Sequence, residues 1–320
     1  MRILLLGATG TIGRATTEDL VRRGHDVVCF VRPGPHKAEP GLPPAATLRF
    51  GEITDPDALP RDGIRGERFD AVISCLASRT GAPRDAWDID HRAQMNVLDA
   101  ASGAAIPHFV LLSAICVQKP LLEFQKAKLA FEAALKDSGL TYSIVRPTAF
   151  FKSLSGQFDR VKAGKPFLVF GDGRRTACKP ISGADLAAYL AGCLADKSRW
   201  NKVLPIGGPG PALTPRDQGA ALFAALGQAP AFRQVPIALM DAVIAGLAVL
   251  GRVSPGLAAK AELARIGRYY ATESMLVWDA ESGRYDADTT PETGRETLSD
   301  FYEKLAAGDV TVDRGDHAVF

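Results

Sequence analysis

The sequence begins with an apolar segment that runs directly into three regularly spaced glycines. Residues 3–6 have the continuous apolar character of a buried parallel strand, and residues 14–23 follow a helical pattern. Between them lie Gly7, Gly10 and Gly13. In such a unit the first glycine permits the tight turn, the second lets a pyrophosphate approach the backbone, and the third lets helix and strand pack closely. The helix N-terminus adds amide donors for phosphates, so this stretch predicts a dinucleotide-binding site. Its predicted contacts are Gly7, Thr9, Gly10, Thr11, Ile12 and Gly13.

The end of the second predicted strand indicates which dinucleotide is bound. This strand covers residues 24–31 and is followed by Arg32. A site for NAD would place Asp or Glu here, on the ribose 2′-hydroxyl, whereas an arginine suits a 2′-phosphate. Lys37 in the following loop can assist. The sequence therefore predicts NADPH.

Strands and helices alternate through the first half of the chain. Apolar runs predict strands at residues 47–51, 69–77, 108–117 and 141–147, and helical patterns lie at 90–105 and about 122–138. Alternation at this spacing is typical of a parallel sheet that binds its ligand at the carboxyl ends of the strands. We therefore predict an α/β fold: a Rossmann doubly wound parallel sheet with a smaller carboxyl-half substrate-binding region. Strand-end residues predicted to contact the cofactor are Glu52, Ile53, Leu76, Ala77, Ser78 and Pro147.

The alternation loosens after Pro147, which suggests a division of labour along the chain. We predict an NADPH-binding core in residues 1–150, with returning segments near 176–208 that include a strand at 202–208. Residues 151–307 would form mainly the substrate pocket and lid, and 308–320 a frayed tail. Ser182 and Thr214 stand where helix N-caps are expected.

Composition excludes several classes of protein. The net charge of +2 arises from 38 basic and 36 acidic residues, which gives no case for a nucleic-acid surface. The five cysteines are scattered without a CxxC pair, as expected for buried thiols in a reducing compartment. The five histidines show no ligand spacing, so we expect no protein-bound metal. Met1 leads directly into the first strand without a signal peptide, which favours a cytoplasmic, bacterial protein.

Residues 235–250 form a strongly apolar stretch that only Asp241 interrupts. It is shorter than the roughly 20 apolar residues that a membrane span needs. A buried or pocket-lining helix is the favoured interpretation, with peripheral contact to a membrane surface as the alternative.

The layout resembles the atypical short-chain dehydrogenase/reductase superfamily, whose fingerprint joins GxxGxxG to a serine after strand five and YxxxK on the next helix. Ser113 matches the serine, and the pentad is Phe124-Gln-Lys-Ala-Lys128. The resemblance implies that Ser113 and Lys128 lie at the cofactor. In the superfamily the tyrosine protonates a carbonyl oxygen as hydride arrives, and Phe124 has no proton to give. The chain therefore either binds NADPH without catalysis or delivers hydride to something other than a carbonyl.

More extended segments are similar to the NADPH-dependent 3,8-divinyl chlorophyllide 8-vinyl reductases of phototrophs. These segments are residues 117–128, 145–154, 170–173, 177–182, 203–210 and 266–275. The resemblance implies reduction of the C8 vinyl group of a divinyl chlorophyllide or protochlorophyllide to ethyl in (bacterio)chlorophyll biosynthesis, with the magnesium carried by the substrate. Hydride added to a vinyl group conjugated with the macrocycle leaves charge that the ring delocalises, so a strong acid is unnecessary.

This resemblance also suggests which side chains meet the pigment. Its free propionate needs a cation, for which Lys152, Lys179 and Arg268 are candidates. The aromatic candidates for stacking, which are equally suited to the core, are Phe150, Phe151, Tyr269 and Tyr270. The proton donor is Lys128, Tyr269 or solvent. Two other functions stay open: a non-catalytic NADPH-sensing regulator, and a reductase or isomerase of smaller aromatic substrates like those of the isoflavone-reductase branch.

Overall fold

A parallel sheet occupies the centre of the molecule. A computed structural model describes residues 1–34 and 41–312, and seven strands of this described part form the sheet in the order β3-β2-β1-β4-β5-β6-β8, all parallel. The order reverses beside β1, which places a ligand crevice at the carboxyl end of that strand. The predicted fold class is confirmed. In chain order the strands are β1 (Arg2–Leu6), β2 (Asp26–Val31), β3 (Thr47–Phe50), β4 (Ala71–Ser74), β5 (His108–Leu112), β6 (Thr141–Pro147), β7 (Phe167–Phe170), β8 (Lys202–Ile206), β9 (Phe232–Val235), β10 (Val277–Asp279) and β11 (Arg284–Asp286).

Helices cover both faces of this sheet. Single π-helical or 3₁₀ turns occur at Leu59–Ile64, Trp87–Ala93, Ile115–Gln118 and Lys197–Arg199. The predicted caps are confirmed, since the hydroxyls of Ser182 and Thr214 accept hydrogen bonds from the amides of Asp185 and Asp217. The α-helices are α1 (Thr11–Arg22), α2 (Pro83–Ala86), α3 (Gln94–Gly103), α4 (Glu123–Asp137), α5 (Phe151–Leu154), α6 (Phe158–Lys162), α7 (Gly183–Gly192), α8 (Pro215–Ala225), α9 (Ile237–Leu250), α10 (Pro255–Thr272) and α11 (Leu298–Ala307).

Two apolar cores flank the central sheet because alternate residues of a strand face opposite sides. In β1, Ile3 and Leu5 pack under α1 and α7, whereas Leu4 and Leu6 pack on the side of α3 and α4. All four side chains are fully buried. This two-sided burial explains why the first strand reads as a continuous apolar run.

The carboxyl half adds smaller units around the end of the sheet. Strand β8 pairs with β6 and so returns to the main sheet, as predicted. Strands β7 and β9 pair with each other, and β10 pairs with β11. A further core, which includes Phe151, Phe223 and Tyr302, lies among α5, α8 and α11. The division into a cofactor core and a substrate region stays a prediction, and residues 313–320 of the predicted tail lie outside the described residues.

Two predicted elements differ in extent from those observed. The helix expected to begin at Asp90 begins with α2 at Pro83, where the missing amide of proline costs no helical hydrogen bond. The fifth strand ends at Leu112 rather than Val117, and the chain then turns through Ile115–Gln118. Ile115, Cys116 and Val117 are apolar because they are buried beside the sheet, not because they extend the strand.

The sequence correctly predicts a helix within residues 235–250, but the prediction that this helix is buried is wrong. Helix α9 covers most of that stretch and buries none of its residues, and it packs against α10 as a hairpin. Val249 is 61% exposed, and Val253 at the hairpin tip is 86% exposed. Among the described residues, no helix combines the length and apolar character that crossing a membrane requires.

Candidate functional site

The glycine loop has the geometry that a dinucleotide diphosphate requires. Gly7 has a φ of +75°, and a Cβ placed there would lie 2.5 Å from the carbonyl oxygen of Cys75. A Cβ on Gly13 would lie 2.1 Å from the carbonyl oxygen of Gly7, so this glycine lets α1 approach β1. A Cβ on Gly10 would come no closer than 3.4 Å to that same oxygen. The fold alone would therefore tolerate a Cβ at Gly10, so its predicted role in giving a pyrophosphate access to the backbone stays a prediction.

The N-terminus of α1 is prepared for an anion. Gly10 is the N-cap, and within the described chain no side chain caps the first amides of the helix. These amides and the positive end of the helix dipole point to where phosphates would bind. Lys152 Nζ donates to Thr11 Oγ1 at 2.9 Å, and Arg14 Nε donates to the carbonyl oxygen of Thr9 at 3.0 Å. Two cations thus sit at the loop, and Ile12 is buried beneath it.

The neighbouring strand ends supply the rest of the crevice. Arg32 follows β2 directly and is exposed, as a 2′-phosphate ligand must be. Lys37 lies outside the described residues. After β3, Glu52 is exposed, whereas Ile53 is buried and its carbonyl accepts a hydrogen bond from Asn96. Leu76 and Ala77 follow β4 and are at least partly exposed. Pro147 is the last residue of β6 and is buried.

Lys128 projects from α4 toward a buried carboxylate. Its Nζ donates to Asp90 Oδ1 at 2.8 Å, and its side chain is 12% exposed. Asp90 Oδ2 accepts a hydrogen bond from Ser78 Oγ at 2.6 Å. Lys128, Asp90 and Ser113 line the same small crevice beside the carboxyl end of β5. The sequence did not identify Asp90 as a site residue, because it stood where a helix start was expected.

The hydroxyl of Ser113 is engaged by another buried carboxylate. Ser113 Oγ donates to Glu132 Oε1 at 2.6 Å, and both side chains are buried. Glu132 also pairs with Arg146 of β6 through two hydrogen bonds. The only proton of the Ser113 hydroxyl is therefore donated to a buried carboxylate of the protein. Glu132 and Arg146 were also missed from sequence, although a glutamate one turn after Lys128 on the same helix was a signal.

Phe124 stands in an apolar cluster, where the superfamily has its tyrosine. The cluster includes Ile115, Cys116, Ile266 and Tyr269, and all of these side chains are buried. The Tyr269 hydroxyl donates to the carbonyl oxygens of Cys116 and Lys119 at 3.0 and 3.2 Å. Burial raises the pKa of Tyr269 above its usual range. This geometry argues against the proposed role of Tyr269 as a proton donor, because its proton is held between backbone carbonyls.

The remaining aromatic candidates divide by exposure. Phe151 is buried against Phe301, with ring centroids 5.3 Å apart, and belongs to the core. Phe150 is half-buried and packs on the core beside the sheet. Tyr270 is 41% exposed and packs edge-on against Tyr269. Tyr270 therefore offers the most accessible ring for stacking.

The three candidate cations for the substrate carboxylate are not brought together. Lys152 contacts the glycine loop, as described above. Lys179 Nζ lies 3.2 Å from the carbonyl oxygen of Thr290 and 3.4 Å from Glu292 Oε2. Arg268 pairs with Asp241 across the α9–α10 hairpin. Lys152 therefore lies beside the glycine loop and not beside the other two cations.

Three of the sequence segments that carry the resemblance meet in space. The hydrogen bond from Tyr269 to the Lys119 carbonyl joins residues 266–275 to residues 117–128, and Lys119 Nζ pairs with Glu273 at 2.7 Å. The amide of Met275 donates to the carbonyl of Ala177 at 2.9 Å, which brings in residues 177–182. These motifs therefore build one wall next to Phe124 and Lys128.

The parallel sheet, the glycine loop and the uncapped helix N-terminus define a nicotinamide-dinucleotide-binding protein. A profile of NAD(P)H-binding proteins matches residues 7–197. The NADPH-dependent quinone oxidoreductase of Escherichia coli, solved with NADPH, has the same fold, with a TM-score of 0.68 at 20% identity. That comparison covers 95% of this chain and 99% of the oxidoreductase.

Full-length sequence relatives narrow the class. The chain is 50% identical over 332 residues to the divinyl chlorophyllide a 8-vinyl-reductase of Oryza sativa subsp. indica, covering 99% of this chain and 82% of the relative. It is 49% identical over 319 residues to the enzyme of that name from Arabidopsis thaliana, covering 95% and 76%. The chain belongs to the divinyl chlorophyllide a 8-vinyl-reductase family.

Proposed function

We propose that this protein reduces the C8 vinyl group of a 3,8-divinyl chlorophyllide to ethyl with NADPH. The observation that carries the proposal is the identity of about half the residues to such reductases over nearly the whole chain. The identity extends beyond the residues that bind the dinucleotide, through the carboxyl half.

The environment of Phe124 agrees with a C=C rather than a C=O substrate. A carbonyl reductase needs an acid at this position, and here an apolar ring is packed among apolar neighbours. Bound NADPH supplies the hydride, and the conjugated macrocycle delocalises the charge that results. The protein then has to orient the two partners and exclude water, which a buried apolar wall can do.

We assign the cofactor contacts by position. The amides at the start of α1, with Lys152, hold the diphosphate, and Arg32 holds the 2′-phosphate. Lys128 holds the nicotinamide ribose and is the candidate to deliver the second hydrogen as a proton, with solvent as the other source. Tyr270 is the candidate for stacking on the pigment.

The direct test mixes the purified protein with NADPH and 3,8-divinyl chlorophyllide a. We expect a blue shift of the pigment's Soret band and a mass gain of two hydrogens, neither of which occurs without protein. NADH should be a poor donor. Unchanged pigment despite measurable NADPH binding would overturn the proposal and favour a sensor or a smaller substrate.

Two variants test the assigned residues. Lys128→Met should weaken NADPH binding and lower kcat, and normal binding and turnover would remove it from both roles. Arg32→Ala should raise the KM for NADPH by about tenfold or more while leaving that for NADH unchanged, because only NADPH carries the 2′-phosphate.

We also propose that the tip of the α9–α10 hairpin docks on an anionic membrane surface. Val249, Leu250 and Val253 are exposed there, with the exposed cations Arg252 and Lys260 beside them. Apolar side chains flanked by cations fit the boundary between acyl chains and anionic headgroups. The cytoplasmic location predicted from the sequence stays a prediction.

Flotation with vesicles tests this docking. The protein should float with phosphatidylglycerol vesicles more than with neutral phosphatidylcholine vesicles, and Val249→Ser/Val253→Ser should lose the binding. Leu121→Ser, which removes an equally exposed leucine elsewhere, is the matched control. No vesicle binding, or a tip-dependent dimer instead, would overturn the proposal.

A further inference from the structure

Asp90, a buried carboxylate, lies directly behind Lys128. Asp90 is 1% exposed and accepts hydrogen bonds from Lys128 Nζ at 2.8 Å, Ser78 Oγ at 2.6 Å and the Ser78 amide at 3.2 Å. A carboxylate removed from water needs such donors in place of its hydration. These hydrogen bonds join the segment after β4 to helix α4.

The local backbone is shaped to bring Asp90 to this point. Asp90 lies in the π-helical turn Trp87–Ala93, between the α-helical segments α2 and α3. A π-turn inserts an extra residue and so redirects the side chains around it, and such turns occur frequently at functional sites. Four residues later, Gln94 accepts a hydrogen bond from Ser74 at the end of β4, which fixes the helix to the sheet.

We propose that Asp90, itself fixed by its hydrogen bonds from Ser78, is a positioning residue that holds Lys128 in the arrangement that binds the nicotinamide end of NADPH. A lysine ammonium has three N–H donors, and giving one to Asp90 fixes its direction while leaving two for a ligand. The partly exposed Lys128 thus has a fixed anchor on its buried side. The catalytic part of this inference rests on the proposed function, whereas the binding part does not.

A double-mutant cycle tests the coupling between the two residues. Asp90→Asn keeps the side-chain shape and removes the charge. We expect Asp90→Asn and Lys128→Met each to weaken NADPH binding and lower kcat by about tenfold, and the double variant to be no worse than Lys128→Met alone. Binding is read by NADPH fluorescence without pigment, so it remains informative even if the pigment is not a substrate.

Asp19→Asn is the control for loss of a buried carboxylate. Asp19 is also buried and pairs with Arg22 and Arg23, far along α1 from the glycine loop. The Asp19→Asn substitution should lower thermal stability without changing NADPH affinity, kcat or the effect of Lys128→Met.

If Asp90→Asn does not fold, Ser78→Ala is the second variant, because it removes one hydrogen-bond donor to Asp90. It should cause a smaller loss of NADPH affinity, and this loss should be absent when Lys128 is already replaced by Met. Losses that multiply in the double variant, or wild-type affinity and kcat in Asp90→Asn, would overturn the proposal.

Discussion

Replacing Gly13 and Gly10 separately with alanine should distinguish folding from cofactor access within one motif. The Cβ of Gly13→Ala would lie 2.1 Å from the Gly7 carbonyl oxygen and 2.8 Å from the Gly7 carbonyl carbon. Both atoms are backbone, and Gly7 is itself held against Cys75. Since neither the backbone of α1 nor that of Gly7 can shift without straining the fold, we expect the free energy of unfolding to fall by about 3 kcal/mol, the upper part of the range for overpacking. For a chain of 320 residues, with an unfolding entropy of about 2.1 cal/mol/K per residue, that loss corresponds to a fall in Tm of roughly 4–5 °C.

Gly10→Ala should have the opposite effects, with little loss of stability and a large loss of NADPH affinity. Its Cβ meets only the Gly7 oxygen, at an ordinary 3.4 Å, and the residue has an extended N-cap conformation that alanine adopts. The cost in stability is about 0.5–1 kcal/mol, the usual difference between residues at a helix N-cap. The added methyl group occupies the approach of the diphosphate, so the Kd for NADPH should rise at least about tenfold, or about 1.4 kcal/mol.

Thermal unfolding followed by circular dichroism and NADPH fluorescence titration measure the two effects on the same samples. Wild-type Tm for Gly13→Ala would contradict the packing argument. Wild-type affinity for Gly10→Ala would mean that the diphosphate does not approach this backbone.

Three further predictions concern buried side chains. Burial lowers the pKa of His108 from 6.5 to about 4. Between those pH values only the unfolded chain binds this proton, so lowering the pH from above 6.5 to 5 should reduce the free energy of unfolding by about 2 kcal/mol. Urea unfolding at the two pH values measures this loss, which should be absent in His108→Gln. Burial raises the pKa of Cys29 to about 11 and that of Cys178 to about 12, so both thiols should react slowly with a disulfide reagent at pH 8 until the protein is unfolded. Tyr269→Phe should lower stability by about 1 kcal/mol for the lost hydrogen bond and leave kcat within about threefold, and a hundredfold loss of kcat would restore Tyr269 as the proton donor.

The parts of the site that the sequence predicted are those that local pattern determines. The glycine spacing, the apolar runs and the caps at Ser182 and Thr214 all act within a few residues, so they are visible without tertiary structure. Asp90 and Lys128 are 38 residues apart, and no spacing rule connects them. The exposure of α9 was missed for a related reason, since an apolar helix indicates burial without saying what covers it.

The placement of charge explains how this fold can carry a phenylalanine at the superfamily's tyrosine position. Lys128 is held by Asp90, and Ser113 is held through Glu132 and Arg146, so neither depends on a tyrosine for its orientation. Phe124 can then join the apolar cluster with Tyr269 and Ile266. The buried carboxylates Asp90 and Glu132 hold polar side chains, whereas the neighbouring cluster around Phe124 is apolar. A wall of that kind suits a flat pigment whose reduction needs orientation and the exclusion of water more than an acid.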